Sequence, residues 1–546
     1  MSSRSKSMYD AVIIGAGHNG LTAGAYLARA GYSTLILERR NVVGGCCVTE
    51  EIAPGCRAST TSYIASMLRP EVIRDLHLGD HGLRMVSCDP ALQVPFPDGQ
   101  LVSWWANRDQ VVEELRKISS RDAETFVRVD DSLKKLARYL QPFFLEPPPE
   151  PGTQSFDGWS DLFRAGKRFR GISTIEISQL VSFLTGSLGD FLDRNYESEK
   201  IKTLFVANNV YGKHGGPYQP GTALGLLFHL LSGGEHEQQG FYGHVMGGMG
   251  SITRAMAAAA QAFGAEIRTG SPVLQIDSRD GRVRSVVLED GTEIRARVVL
   301  SNADPKRTFL GMVPERDLPA DFVHAIRGIK MDGPCAKVNM VLAEEPRFTG
   351  TPANYEPQQR SLFTLIPSLE FAERCYDIAK FGEIPEQLWV DCVIASNADP
   401  SLAPAGRHVM TCFVQYVPYK LRQGASCGTW DDNRELLGDR VVKKIAEYAP
   451  NVPGAIVARQ VLTPLDLERT YGLTEGNIFH GDLNLEQLFF NRPVAGWSQY
   501  RTPIAGLYLC GAGAHPGGGV TGAPGHNAAH QVLRDLKKGK FKEAVA

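Results

Sequence analysis

Six residues near the start of the chain, Gly15-Ala16-Gly17-His18-Asn19-Gly20, have the spacing that wraps main chain around a diphosphate. Gly15 permits a tight turn. Gly17 has no Cβ to hold a pyrophosphate away, and Gly20 lets the next helix pack close to a sheet. The start of that helix offers unpaired N–H groups and about half a positive charge. Glu38 closes the next apolar run. Its carboxylate can accept hydrogen bonds from ribose hydroxyls and would repel a 2′-phosphate. The chemistry indicated is the binding of a dinucleotide without that extra phosphate, FAD or NAD.

A cradle of this kind needs a strand before it and a helix after it. Tyr9 to Ile14, YDAVII, reads as a buried parallel strand, LTAGAYLARAGY as a helix that stops at Gly31, and STLIL as the next strand. Gly24 adds close helix–strand packing. A second block starts near Gly243. Its helix is expected over Ile252 to Phe263 with Ser251 as N-cap, followed by Glu266-Ile267-Arg268 and strands at Val273 to Ile276, Arg282 to Leu288 and Glu293 to Leu300, with a turn at Asp290-Gly291. Near the end come a strand from Gly506 to Cys510, a second glycine-rich loop, and a helix from about Ala523 to Leu536.

The fold class is therefore α/β, a dinucleotide-binding domain discontinuous in sequence. Its expected segments are 1–105, 241–310 and 491–546. A substrate domain takes the rest, helical over 106–240 and β-rich over 311–490. The proline-rich run Pro142 to Pro151 marks a candidate boundary.

The chain has 546 residues, 43% hydrophobic and 22% charged, with a formal net charge of -2. That balance lacks the basic excess of a nucleic-acid surface. No apolar run reaches the roughly 20 residues of a membrane-spanning helix. The ten-residue stretch TALGLLFHLL, Thr222 to Leu231, reads as a buried helix, with contact at a bilayer surface as the lesser alternative. Met1 to Ser7 is polar and has no apolar core for a secretory signal. Ten cysteines without CxxC or zinc-ligand spacing read as reduced thiols, so no metal is expected and the compartment is expected to be cytoplasmic. Oligomeric state is left open.

Further along, Glu38-Arg39-Arg40-Asn41-Val42-Val43-Gly44-Gly45 resembles the extension of the FAD fingerprint in the amine oxidase and phytoene desaturase superfamily. Leu507 to Gly522, LYLCGAGAHPGGGVTG, looks like the C-terminal flavin-binding segment of carotenoid desaturase-type flavoproteins. With GAGHNGL, GGMGSITRA, VVLEDGTEIRARVVLSNADP and GNIFHGDL, the chain resembles the family called pyridine nucleotide-disulfide oxidoreductase domain-containing protein 2 and its phytoene dehydrogenase-like relatives. The resemblance implies a glutathione-reductase-like FAD fold. It places Gly15, Gly17, Gly20, Glu38, Arg40, Gly44, Gly45, Val273, Gly511, Gly519 and Val520 around FAD, with Val273 at the adenine edge. By the same resemblance alone, a mitochondrial location is the alternative.

The family name suggests a redox disulfide. Cys46 and Cys47 are adjacent, which is poor geometry for one. The implied activity is FAD-dependent oxidation by a dehydrogenase, desaturase or oxidase, taking hydride from a C–C or C–N bond of an apolar or amphipathic small organic molecule. A flavin-dependent isomerase and a noncatalytic FAD-bound interaction protein are the alternatives. His515 in the flavin loop, Tyr63 and His480 are the candidate catalytic residues, each weighed against an ordinary structural role. His526 has a weaker claim, and His18 is expected to pack near FAD. N–H groups of Gly517 to Gly522, ahead of a helix, are placed to favour negative charge on the reduced cofactor.

Overall fold

The computed structural model describes residues 8–152, 156–232, 242–422 and 428–539. Met1 to Ser7 lie outside the described residues. Three stretches of chain build the nucleotide domain. The first gives β1 (Tyr9–Ile14), α1 (His18–Arg29) and β2 (Thr34–Leu37). The second gives α2 (Gly250–Ala262), β3 (Glu266–Arg268), β4 (Val273–Arg279), β5 (Arg282–Leu288) and β6 (Glu293–Ser301). The last gives β7 (Leu507–Leu509) and α3 (Ala523–Lys537). The parallel order is β3-β2-β1-β6-β7. The antiparallel strands β4 and β5 extend from the first half of β6.

Every residue of β1 except Asp10 is buried, as a strand between two parallel neighbours must be. α1 packs against α2 and α3. Its small residues set how close it can lie. A Cβ added at Gly20 would stand 2.1 Å from the Gly15 carbonyl oxygen, and one at Gly24 would stand 2.4 Å from Ile36 Cδ1. α2 begins at Gly250 with Met249 as its N-cap. Ser251 is not the cap: its hydroxyl donates back to the Met246 carbonyl.

The substrate domain has a five-stranded antiparallel sheet, in the order Leu362–Leu365, Trp389–Ile394, His408–Gln415, Cys335–Leu342, Ile456–Leu462. Strand alternation gives it two unlike faces. Ala336, Val338, Met340 and Leu342 join Leu437, Val441 and Ile445 of the helix Trp430–Ala446 in one apolar cluster. Cys335, Lys337 and Asn339 point the other way. There Asn339 Nδ2 donates to the Thr60 carbonyl at 3.2 Å, so this face meets the nucleotide domain. Helices that include Ser120–Leu140, Glu199–Asn209 and Leu224–Ser232 form a further layer. In the stretch Thr222 to Leu231, Leu224, Leu226, Leu227 and Leu231 are buried in that layer and are not offered to a bilayer. No helix among the described residues is long and apolar enough to cross a membrane.

Three expected boundaries move. Leu83 belongs to the nucleotide-domain core, but Leu92, Val94, Val102 and Trp104 belong to the substrate-domain core, so the first segment ends before 105. Trp104 makes edge contacts with Phe126 and Phe205 at 5.5 and 5.3 Å. The second segment runs past 310, because Phe309, Phe322, Val323, Ile326 and Met331 all pack into the nucleotide-domain core. Pro142 to Pro151 is not a boundary. Phe143 and Phe144 turn back, and their carbonyls accept hydrogen bonds from His515 and Asn527.

Gly20→Ala is expected to destabilise the protein by about 1–3 kcal/mol, because the added methyl meets immobile main chain rather than a side chain that can move. Urea unfolding measures it, and an unchanged midpoint would contradict the close packing.

Candidate active site

One cavity of about 550 Å³ runs from the phosphate loop into the substrate domain. Gly15, Gly17, His18 and Asn19 line it where α1 begins. The N-cap is Gly17, and no side chain caps that helix. Its N-terminal N–H groups and partial positive charge are thus presented to the cavity. The Gly44-Gly45 segment lies alongside: Gly44 N–H donates to the Ala16 carbonyl at 2.9 Å, and Gly45 reaches the cavity wall. Glu38 is 6% exposed. Its two carboxylate oxygens accept from Ala16 N–H and Arg40 N–H, each at 2.9 Å. Each oxygen keeps a lone pair for a further donor. Ser271, Pro272 and Val273 continue the wall beside Glu38, and Ser271 N–H donates to the Glu38 carbonyl at 2.8 Å.

Arg40 lines the cavity. One nitrogen pairs with Glu50 at 2.5 Å, the guanidinium lies 4.9 Å from the Tyr471 ring centroid, and Nη1 is buried without a hydrogen-bond partner. A buried guanidinium nitrogen without an acceptor fits an anionic or hydroxylated ligand that completes it. Gly519 and Val520 line the cavity from the C-terminal loop, and His18 Nε2 lies 3.1 Å from the Gly519 carbonyl.

Some expected residues act behind the wall. Gly20 and Gly44 do not line the cavity and serve close packing, as does Gly511, where a Cβ would meet the Asn302 carbonyl oxygen at 2.6 Å. Of Gly517 to Gly522, only Gly519 and Val520 reach the cavity. Asn302, absent from the sequence reading, holds the loop: its Nδ2 donates to the Gly15 carbonyl at 3.3 Å. It directly follows the buried strand end VVLS, which was its available signal.

His515 departs from its expected role. It is buried and is not part of the cavity wall. Its Nε2 donates to the Phe143 carbonyl at 2.6 Å, and burial pushes its pKa down to about 4. It is a neutral structural histidine that ties the strap at Phe143 to the C-terminal glycine loop. His526 bonds Asn527 and packs edge-on against Tyr26, also off the cavity. His480 does line the cavity, with Nδ1 lacking a partner and its pKa lowered, first by burial. Burial lowers the His18 pKa to about 4.

Tyr63 lines the cavity. Its ring stacks on Phe413 at 5.4 Å and its hydroxyl donates to Asp391 at 3.3 Å. The same region holds residues that the sequence reading missed: Lys337, Lys213, Tyr211 and Tyr242. Lys337 had a signal, in that polar residues alternate with apolar ones in CAKVNMVL. Cys46 lines the cavity and Cys47 lies behind it, its thiol donating to the Met249 carbonyl. Both are free, and burial pushes both pKa values up, Cys46 to about 12. Neither is poised as a thiolate.

A crevice between a parallel sheet and a second domain, with a glycine loop at one end, defines a dinucleotide-binding protein. The chain belongs to the flavin containing amine oxidoreductase family, whose model matches residues 20–420. It is 39% identical to pyridine nucleotide-disulfide oxidoreductase domain-containing protein 2 of Mus musculus, over 98% of this chain and 95% of that one. It is 28% identical to one of the polypeptides of the limonene dehydrogenase of Castellaniella defragrans, over 96% of this chain and 95% of that one. Among solved structures, putrescine oxidase bound to putrescine matches with a TM-score of 0.59 at 14% identity, over 97% of this chain and 99% of that one. That likeness is one of fold: an α/β FAD-binding domain with a mixed substrate domain. The protein is an FAD-dependent oxidoreductase.

Two results are expected. Glu38→Gln turns one acceptor oxygen into a donor facing a backbone N–H, so FAD binding should weaken at least about tenfold, read by equilibrium dialysis; unchanged retention would remove Glu38 from the site. The second concerns acid. His515 and His244 have folded pKa values lowered from 6.5 to about 4. Between those values the unfolded chain binds more protons, so their contribution is whole above pH 6.5 and is lost as pH falls toward 4. His515→Gln should flatten that loss in urea midpoints while leaving the bound flavin spectrum intact. An equally steep loss in the variant would contradict the assignment.

Proposed function

We propose that the enzyme dehydrogenates a C–C or C–N bond of an apolar or amphipathic small organic molecule, in a reducing compartment such as the cytoplasm. The supporting observation is that the cavity continues beyond the cofactor cradle into the substrate domain. There Leu224, Phe228, Phe413, Ile478, Phe479 and Leu483 supply an apolar wall. An interaction module that merely carries FAD has no need of such a chamber. A relative named for limonene points to the same class of substrate. The compartment is supported by the nine described cysteines, all free and most buried.

FAD, when bound, supplies hydride acceptance. The chain does the rest. The uncapped start of α1 would hold phosphates, Glu38 a ribose, and Arg40 a phosphate or ribose oxygen. Gly519 and Val520 approach from the loop ahead of α3. His18, His480, Tyr63, Tyr211 and Tyr242 stay neutral because burial opposes their charged forms. The apolar wall excludes water and orients the ligand.

Anaerobic titration of the purified protein with a panel of terpenoid, acyl and amine compounds tests this. A substrate should bleach the flavin absorbance and yield an unsaturated or carbonyl-level product. Turnover that needs added reductant and gives only a rearranged product would favour an isomerase, and no response to any apolar compound would oppose the reading.

A further inference from the structure

Large apolar side chains stand in solvent on two consecutive helices, Phe156–Arg168 and Thr174–Thr185. Trp159, Phe163 and Ile175 are 63%, 68% and 72% exposed, and Ile177 and Val181 are exposed as well. One support carries both helices. Along the helix Ser120–Leu140, Ser132 bonds Gln179 at 3.2 Å, Lys135 pairs with Glu176 at 2.7 Å, and the Tyr139 ring stacks on Phe169 at 6.1 Å. The outer faces of the two helices therefore lie on one side of the molecule.

A helix at a water boundary ordinarily turns charge outward. Thr174–Thr185 does the reverse. Its single charged residue, Glu176, is buried and held by Ser173 and Lys135. Its outer face is Ile175, Ile177, Ser178, Val181, Ser182 and Thr185, without a charge. Two of the hydroxyls are turned back on the helix. Ser182 donates to the Ser178 carbonyl at 2.9 Å, and Thr185 to the Val181 carbonyl at 2.8 Å. A hydroxyl bonded within its own helix has no donor left to place in its surroundings, which suits an apolar medium.

Cations border this apolar surface. Arg164, Lys167 and Arg170 are exposed. Trp159 and Phe163 are one turn apart and share a side of their helix. Lys167 lies one turn further, with Nζ 4.9 Å from the Phe163 ring centroid. Arg164 is paired with Asp161 at 3.2 Å, whereas Lys167 and Arg170 enter no ion pair among the described residues. Aromatic rings beside long basic side chains seat a helix where acyl chains meet anionic head groups, because each stem lies along apolar surface while its charge reaches outward. A second copy of the chain suits the surface less well. Two-fold pairing of this face would bring the cations of both copies into one interface.

The wall of the cavity lies behind. Thr174–Thr185 packs on the helix Leu224–Ser232, whose Leu224 and Phe228 line the cavity. We propose that this face docks on an anionic lipid bilayer, with Trp159, Phe163, Ile175, Ile177 and Val181 among the acyl chains and Lys167 and Arg170 at the head-group phosphates. For the apolar substrates argued above, docking sets the layer beside the cavity against the medium in which they dissolve. Docking itself does not depend on which compound is oxidised.

The test uses the flavin-loaded full chain and sedimentation with vesicles, one set of phosphatidylcholine alone and one with about a third of phosphatidylglycerol. The anionic vesicles should bind at least about tenfold more tightly than the neutral ones, and added salt should narrow the difference. Trp159→Ala with Phe163→Ser should weaken binding about tenfold or more. Lys167→Gln with Arg170→Gln should weaken it about tenfold on the anionic vesicles alone. Trp159→Phe keeps an aromatic ring in place, so it should still bind, but quenching of tryptophan emission by brominated acyl chains should largely vanish. No binding to either vesicle, unchanged binding in both paired variants, or undiminished quenching in Trp159→Phe would each overturn the proposal. So would self-association in sedimentation velocity that Trp159→Ala with Phe163→Ser abolishes while vesicles are never bound; the face is then an interface between copies. Retention of the flavin absorbance shows that a variant is folded, and the two vesicle compositions are compared on the unaltered protein. A protein that binds vesicles through these residues but oxidises no apolar compound loses the dehydrogenase reading and keeps the membrane face.

Discussion

The structure depends on one contact of main chain against main chain, where Gly20 of α1 lies over the Gly15 carbonyl. No side chain fits between them, since even a methyl at Gly20 would come within 2.1 Å of that oxygen. This contact holds the start of α1 directly above the end of β1. The helix therefore directs its N–H groups, uncapped by any side chain, into the crevice. The surrounding bonds stiffen the same turn. Gly15 N–H donates to Leu37, Gly44 N–H to Ala16, and Asn302 Nδ2 to Gly15. These partners come from the ends of β2 and β6 and from the loop after β2. A cradle assembled this way requires the chain to leave the sheet and return to it, which is why the nucleotide domain is built from separated stretches.

The far wall needs its own clamp, and Arg492 supplies it. Its side chain is buried and donates to the carbonyls of Phe479, Gly481, Asp482, Gln487 and Ala512. A planar guanidinium can serve several fixed acceptors at once, which a lysine cannot do from a single nitrogen. The clamp ties the loop carrying Phe479, His480 and Leu483 to Ala512 in the glycine-rich C-terminal segment. Gly518 accepts that loop closely, with the position a Cβ would take lying 2.3 Å from Phe479 Cδ1. Burying one charge here gives the two domains a common wall around the cavity.

What was legible in the sequence was what near neighbours decide. The turn at Gly15, the helix after it and Glu38 at the next strand end lie within one βαβ unit, so spacing alone orders them. The same holds for β4, β5 and the turn at Gly291. His515 shows the opposite case. Its place in a glycine loop suggests chemistry, but its ring is directed by Phe143, from a proline-rich run distant in sequence that folds back. The domain boundaries failed for the same reason. The apolar sides of Leu92–Pro95 and Ala320–Gly328 announce burial without saying in which core. Lys337 was visible as a polar residue in a strand, but which face of that strand met a cavity depended on the helix Trp430–Ala446 covering the other.

Electrostatics joins these parts. The cavity encloses many ionisable side chains, but burial keeps its histidines and tyrosines neutral, and the carboxylate behind Tyr63 is occupied by three donors. What remains is the Glu38 carboxylate, and the α1 dipole and Arg40 beside the glycine loop. In water such charges would be weakened by the high dielectric constant and screened by salt. Between a packed sheet and a packed helical layer they are not, and a single unpaired donor weighs more there than on the surface. The apolar wall is therefore part of the electrostatics of the site: by excluding solvent, it strengthens every fixed dipole and charge that faces the cavity.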